Sequence, residues 1–587
     1  MLTGECIAAA ARVLRTADGA ISEIIPNIDI QTQGRTTMKN IFILLLFPFA
    51  LNAQPLADST IKKIDNIFKN YNPTTPGCAV AVMRKGEVVF KKGYGMATLE
   101  FNAPITSSTI FHIASESKQY VAFCMLLLEQ QGKLSLDDDI RKYLDFVPDF
   151  GKKITIKHLI YHTSGIRDQW QLLANAGWQL DDVITTEHVI KLISKQKELN
   201  FEPGEEMLYC NTGYTLMGEI VKKITGQSLR KFCDSAIFKP LGMNDTHFHD
   251  DYREIVKNRA YSYTPKSEGR YQNAVLSYSI VGATSLFTTV EDEIKWLHNY
   301  ETGQVGGKAL IEKMYQTGVL NDGKKLNYAF AIGIDNYKGW KLIGHGGGDA
   351  GFRTFACRLP EQELGIVVFS NLGIVNPSFF CRQIADLLIT PKQIPETPKG
   401  NPIDTNFLKR LKGKYYSYRG LELNFDYNDG KLISRPPGQT SGGNEWKLTA
   451  AGPNRYEAAG LFMIFDSMDG KDSIQQFKVE NQNGYQRFYR QPANPKKVNP
   501  ADYVGRYYSD EVEAYYTIVE KNNKLILQHR KFSDVDLEYD APDQFTNDNW
   551  WMNNIRFIRD KKGKVVAFEV NSGRIVHLRY DKVPAKP

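Results

Sequence analysis

The chain has 587 residues, is 42% hydrophobic and carries a formal net charge of +7 at pH 7. It is too long for one hydrophobic core, so roughly two to four domains are expected. Its basic residues form no Lys/Arg block and no zinc-finger spacing occurs, which argues against a nucleic-acid partner.

The first readable element starts at Met38. "MKNIFILLLFPFALNAQ" has basic Lys39, an apolar run over Ile41–Leu51 and the ending Leu51-Asn52-Ala53, the three parts of a secretory signal. The run is too short to span a bilayer, and no cysteine follows it to carry a lipid. Residues 38–53 therefore read as a signal peptide, residues 1–37 as an extension from a misassigned start, and the mature protein as periplasmic or secreted with no membrane span. Cys78, Cys124, Cys210, Cys233, Cys357 and Cys381 are scattered without metal-ligand spacing. Most are expected to be buried as small apolar residues, and no cofactor is implied.

Residues 55–392 mix element types. An amphipathic helix is expected around Ile61–Tyr71, followed by strands in "CAVAVMRKGEVVFKKGYG" and a long helical middle. Strands return in "WKLIGHGGGDAGFRTFACRLPEQELGIVVFSN". Strands at both ends of a helical middle predict an α+β domain: an antiparallel sheet closed by both termini, with an inserted helical lobe and a cleft between them. Within the lobe, "FHIASESKQYVAF" carries Ser115 and Lys118. Val121, Cys124, Met125 and Leu128 recur at helical spacing up to a stop at Gly132, and the helix is apolar on nearly every side. Ser115 is expected in its first turn with Lys118 one turn on, where the helix dipole repels a cation. Either the amine takes the proton of a nucleophilic serine, or this is a Ser N-cap beside a solvated Lys; four residues alone do not separate the two. Tyr209-Cys210-Asn211 precedes a helix marked by Leu216, Ile220 and Ile224, so Tyr209 should lie in a loop. His345 is followed by Gly346, Gly347 and Gly348.

Proline-rich linkers, "TPKQIPETPKGNPIDTN" from Thr390 and "QPANPKKVNP" from Gln491, flank two segments, 407–491 and 500–585, that repeat one another. Gly413-Lys414-Tyr415-Tyr416-Ser417 recurs as Gly505-Arg506-Tyr507-Tyr508-Ser509, and Phe477-Lys478-Val479 as Phe568-Glu569-Val570, at offsets of about ninety residues. Short alternating stretches broken by Asn/Asp/Gly turns predict two small β-barrels or β-sandwiches.

In this order, Ser115-x-x-Lys118, Tyr209-x-Asn211 and His345-x-Gly347 resemble the three signature elements of the class C-type serine β-lactamase and penicillin-binding-protein family. That family includes D-aminopeptidases, D-alanyl-D-alanine carboxypeptidases and esterases. "ITIKHLIYHTSGI", "PLGMNDTHF" and "VGATSLFTTVEDEIKW" extend the resemblance across nearly all of 55–392. It implies a β-lactamase/transpeptidase-like fold, with Ser115 as nucleophile and Lys118 and Tyr209 sharing the general-base task. Burial favours a neutral Lys, and a cationic Lys lowers the pKa of Tyr. Asn211 would orient Lys118 and a substrate amide. The backbone N–H groups of Ser115 and Gly348 would form the oxyanion hole, with Gly347 permitting close approach. Where efficient β-lactamases of the family usually carry Lys, this chain has His345, only partly charged near neutrality. Arg353 could supply a cation instead, and Glu116, unusual beside the nucleophile, is expected to face solvent.

Rival readings fail on local grounds. His345-Gly346-Gly347-Gly348 matches a lipase oxyanion motif, yet the chain has no Gly-x-Ser-x-Gly. Gly346-x-Gly348-x-x-Gly351 matches a dinucleotide fingerprint, but a strand follows where a helix is needed. His247 and His249 beside Asp250 and Asp251 read as a solvated edge strand rather than a metal site, His162 as structural, and Cys210 as packing. The sequence thus predicts a secreted or periplasmic serine hydrolase acting on amides or esters, with small D-amino-acid-containing peptides as candidate substrates. The alternatives are a class C-type β-lactamase, or a penicillin-binding receptor or scaffold with little turnover.

Overall fold

The computed structural model describes residues 55–392, 404–417, 421–435, 444–452, 454–458, 461–466, 473–481, 484–491 and 499–584. The signal segment, residues 1–37 and most of both linkers lie outside the described residues.

Strands β1 (Cys78–Arg84) and β2 (Glu87–Tyr94) come from one end of the region 55–392. β3 (Gly333–Tyr337), β4 (Trp340–Asp349), β5 (Phe352–Leu359) and β6 (Leu364–Ser370) come from the other. They form one sheet in the order β3-β4-β5-β6-β1-β2, antiparallel at every pairing, as predicted. β1 shows why the strand reads as a continuous apolar run. Cys78, Val80 and Val82 pack with Ile64 of helix α1 (Asp58–Ile67) and Ile384 of α6 (Pro377–Leu388). Ala79, Ala81 and Met83 point to the other face, into the core of α2 (Ser117–Gln130) and α5 (Val290–Thr302). A strand covered on both faces has no solvated side on which to alternate. The first helix begins and ends a few residues earlier than the periodicity predicted.

The lobe inserted between β2 and β3 includes α3 (Gln169–Asn175) and α4 (Asn211–Thr225). α2 is buried along nearly its whole length, Ser117 to Leu128, matching its all-round apolar sequence.

The two repeats differ. The second closes into an eight-stranded barrel from Gly505–Ser509 to Ile575–Val583. The first is a nine-stranded antiparallel sheet whose edge strands, Asn444–Glu445 and Thr449–Gly452, do not pair with each other among the described residues, so both repeats are β modules as expected and the second alone is closed. The first repeat keeps its own apolar core around Tyr415, Phe425 and Phe477. The barrel's core, including Tyr507, Phe568 and Tyr580, runs on into that of the helical lobe.

Candidate active site

The chain places Ser115 through a short strained turn. Ala114 sits at φ +48°, a conformation that costs a non-glycine residue about 1 kcal/mol or more. Residues Ala114–Glu116 form a 3₁₀ turn that runs directly into α2, so Ser115 lies just before the α-helix rather than in its first turn. The Ser117 hydroxyl fixes this turn, donating to Ala114 O at 2.5 Å and accepting from Leu286 N at 3.0 Å. Among Ala114–Tyr120 only Ser115 reaches solvent.

Lys118 is fully buried behind it. Its Nζ lies 2.9 Å from Ser115 Oγ, 2.9 Å from Asn211 Oδ1 and 2.6 Å from Ala283 O. Burial pushes its pKa down to about 7; the charge of Arg574 acts in the same direction, and Asp168 and Asp349 oppose it. Asn211 opens α4, and its N and Nδ2 both donate to Asp168 Oδ2, at 2.7 and 2.8 Å. That pair turns the amide oxygen toward Lys118. Asp168 itself caps α3, accepting from Trp170 N at 3.0 Å.

Tyr209 lies in the loop before α4, as expected, with its ring centroid 5.0 Å from Lys118 Nζ and 4.9 Å from the Arg574 guanidinium. Its hydroxyl is buried without a partner inside hydrogen-bonding distance among the described residues. Burial lifts its pKa above the ordinary tyrosine range, and the neighbouring Ser115 hydroxyl and Arg574 offset only part of that rise. Of the two, Lys118 is the more easily deprotonated, in line with the expectation that burial favours its neutral form. Behind Tyr209, His162 accepts from Cys210 N at 3.0 Å through Nδ1, and its Nε2 is 3.2 Å from Tyr328 Oη. His162 is structural, and the Cys210 thiol, pushed up to about 12 by burial, packs against Ile166 O.

β4 brings the third element to the same place. A Cβ on Gly347 would stand 2.1 Å from Ile113 O and 2.5 Å from Thr354 Oγ1, so no other residue lets the strand lie this close to the serine turn. Gly348 is exposed and lines the cleft with Ser115. His345 is held between Gly346 O, 2.7 Å from Nδ1, and Tyr328 Oη, 3.1 Å from Nε2. Burial and nearby Lys118 drop its pKa to about 4, so it is neutral at pH 7 rather than partly charged. Arg353 lines the cleft, but its Nη1 is occupied by Ala350 O and Phe352 O.

Glu116 overturns its expectation outright. It is fully buried against β5 and α5, with no hydrogen-bond partner in geometric reach of either carboxyl oxygen among the described residues. The Thr354 hydroxyl beside it is donated to Ile113 O. Burial and the adjacent Glu293 raise its pKa well above the usual carboxylate range.

Three contributors were missed in the sequence: Asp168, Tyr328 and Arg574. Asp168 stands at an N-cap just after the quoted "HTSGI", so local pattern could have flagged it. Tyr328 and Arg574 carry no motif. Of the other candidates, His247, His249 and Glu254 have ligand atoms within 4.8 Å of one another. Arg230 already pairs with both Asp250 and Glu254, so the carboxylates there are neutralised by protein.

The cleft enclosing these groups measures about 1060 Å³. A solvent-facing serine, a buried amine at its oxygen and a tyrosine from a second loop, set on this sheet and lobe, define a serine hydrolase of β-lactamase type. The Beta-lactamase family model matches residues 64–388, and the chain belongs to that family. It is 25% identical over 532 residues to a D-aminopeptidase of Brucella anthropi, covering 86% of this chain and 95% of that one. It is also 25% identical over 413 residues to penicillin-binding protein 4* of Bacillus subtilis (strain 168), covering 67% and 90%. The octameric penicillin-binding protein homologue from Pyrococcus abyssi shares the fold, with a TM-score of 0.50 at 24% identity over 81% of this chain and 97% of that one.

Proposed function

We propose that the protein hydrolyses amides or esters through an acyl enzyme on Ser115, after export from the cytoplasm. The observation that carries this reading is the set of partners around Lys118. A neutral amine has two hydrogens and one lone pair. Asn211 Oδ1 and Ala283 O accept the two hydrogens, which leaves the lone pair facing Ser115 Oγ. The Ser115 O–H then donates to Lys118. As Oγ attacks the substrate carbonyl, its proton passes to Nζ, and the oxyanion gathers at the N–H groups of Ser115 and Gly348. Lys118, now cationic, supplies the proton for the leaving nitrogen or oxygen, and the Tyr209 hydroxyl, unpaired among the described residues, is the group placed to pass it on once substrate fills the cleft. Water then attacks the ester on Ser115 by the same route in reverse.

Small peptides containing D-amino acids are the favoured substrates, by similarity to the D-aminopeptidase and with a cleft lined by both polar and apolar side chains. His345, neutral and held by Tyr328, provides no permanent cation for a β-lactam carboxylate, which places β-lactamase activity second. Export rests on the Met38 signal pattern, and among the described residues no helix is long and apolar enough to cross a membrane. Labelling with a fluorescent fluorophosphonate tests the acyl enzyme. Wild type should label, Ser115→Ala should not, and Lys118→Ala should label on the order of 10²–10⁴ times more slowly. Labelling that survives Ser115→Ala on another serine overturns the reading.

A further inference from the structure

Arg574 belongs to the second β repeat, some 460 residues from the nucleophile in sequence, yet it lines the same cleft as Ser115. The turn that carries it is gripped as closely as a strand in a sheet. Gln171 Nε2 donates to Ser572 O at 2.8 Å, and Arg574 N donates to Gln171 Oε1 at 2.6 Å. Asn200 Nδ2 donates to Arg574 O at 3.0 Å and its Oδ1 accepts from Val576 N at 2.9 Å. Gly573, at φ +58°, leaves room only for hydrogen, because a Cβ there would meet Gln171 Nε2 at 2.5 Å. Backbone order of this kind costs conformational entropy, which these four hydrogen bonds and the buried flanks Ser572 and Ile575 offset.

The Arg574 side chain leaves this fixed turn, lies over the Tyr209 ring at 4.9 Å and remains 42% exposed to the cleft. Its nearest carboxylate, Asp168, is 3.7 Å away, beyond hydrogen-bond distance, and already accepts from Asn211 and Trp170. No side-chain hydrogen bond joins Arg574 to another described residue. The remaining acids of the cleft are otherwise placed. Asp349 accepts from Thr284 and faces His112 and Tyr278, and Asp181 stands exposed at the mouth. Arg353 has turned its Nη1 to backbone carbonyls.

We propose that Arg574 is a specificity-determining residue that receives a carboxylate on the leaving-group side of the substrate, so the enzyme favours leaving amines or alcohols that carry a negative charge. The proposal rests on the serine-hydrolase reading above: the leaving atom takes its proton beside Tyr209, and Arg574 lies on that ring. A planar guanidinium with free N–H groups pairs with a carboxylate through two hydrogen bonds, and it repels a substrate ammonium. An amide or ester whose departing half ends in a free carboxylate therefore fits, whereas a cationic departing half does not.

Two esters of equal size test this: 3-carboxyphenyl acetate, with an anionic leaving group, and 3-carbamoylphenyl acetate, with a neutral one. Wild type should favour the anionic ester by about 10- to 100-fold in kcat/KM, chiefly through KM. Arg574→Ala should bring that ratio close to one, with Arg574→Lys between them. On the neutral ester, the acid limb of the Arg574→Ala pH profile should move to higher pH, because a cation beside Lys118 has gone, while the loss of ester preference is the readout that a purely structural Arg would not move. Acylation of Ser115 is followed by intact mass, with Ser115→Ala as control. An adduct that forms with the same ester preference in wild type and Arg574→Ala overturns the assignment of Arg574 alone. No adduct on Ser115 with either ester overturns the serine-hydrolase reading itself.

Discussion

The two copies of the repeated β module share their anchors and differ in what they are fastened to. In the first, Tyr415 and Phe477 are fully buried with ring centroids 4.9 Å apart; in the second, Tyr507 and Phe568 repeat that pair at the same 4.9 Å. Gly413 and Gly505 both adopt positive φ under a basic side chain, Arg490 and Lys582 respectively. Beyond these anchors the copies part. The first holds an open sheet around a separate core and meets its neighbours through polar contacts, such as Lys324 with Glu480 and the buried Tyr416 with Asp540. The second is closed, shares a core with the lobe and buries Arg167 completely at the joint. Arg167 pairs with Glu511 and donates to Val576 O through Nε and Nη2, at 3.1 and 2.9 Å. A duplicated fold can thus remain an appendage in one copy and become part of a cleft in the other, the difference residing in the few polar groups that join it to its neighbour.

The comparison is broken most directly by cutting each core at its matched ring. Phe477→Ala and Phe568→Ala should each cost about 3–5 kcal/mol within their own module. Thermal melts should show a low-temperature transition in the first variant with kcat/KM within about twofold of wild type. The second should lose stability and turnover together. Equal losses of turnover would show that the open module also supports the cleft. Arg167→Met comes next: it leaves Glu511 buried without its cation, at a cost of about 3 kcal/mol. Adding Glu511→Leu should restore most of the melting temperature. A single variant as stable as wild type would mean that the joint does not depend on the ion pair. Gly573→Ala should cost about 1–3 kcal/mol from backbone strain and the clash with Gln171, and it should raise KM by displacing Arg574. The smallest change is expected from Tyr416→Phe. It removes hydrogen bonds to Glu422 and Asp540 from an interior strand of the open module, worth about 1 kcal/mol, and should leave KM alone.

Legibility followed sequence distance. Ser115 and Lys118 lie one helical turn apart, so backbone geometry alone brings them together, and the pattern around them is readable as a helix start. Tyr209 and His345 needed the order of three short motifs, because nothing local tells a loop tyrosine which helix it will meet. Arg574 had no such support: Ser572-Gly573-Arg574 reads as an ordinary hairpin turn, and its role arises from Gln171 and Asn200 in a distant lobe. The reading of Glu116 failed for a different reason. The all-round apolar character of α2 implies burial on every side, and Glu116 follows it against the general tendency of carboxylates to face solvent. The closed and open forms of the two repeats were not legible, since closure depends on pairing between the first and last strands and not on any single segment.

The buried acid beside the nucleophile has a consequence for how long the enzyme lasts at a given pH. Glu293, packed in the same core and bonded to Tyr120 Oη at 2.8 Å, is raised to about 7, and Glu116 is raised with it. In the unfolded chain both carboxyls titrate near 4.5. Between that value and the folded ones the native state holds more protons than the unfolded state, so stability falls as pH rises through this window. Lys118 works the other way: turnover rises as its ammonium loses a proton near 7. Rate and endurance are thus set against each other over the same pH units. Initial rates should place the optimum on the alkaline side of neutrality, and total product after hours of incubation should place it lower. Replacing Glu116 with Val should bring the two optima together.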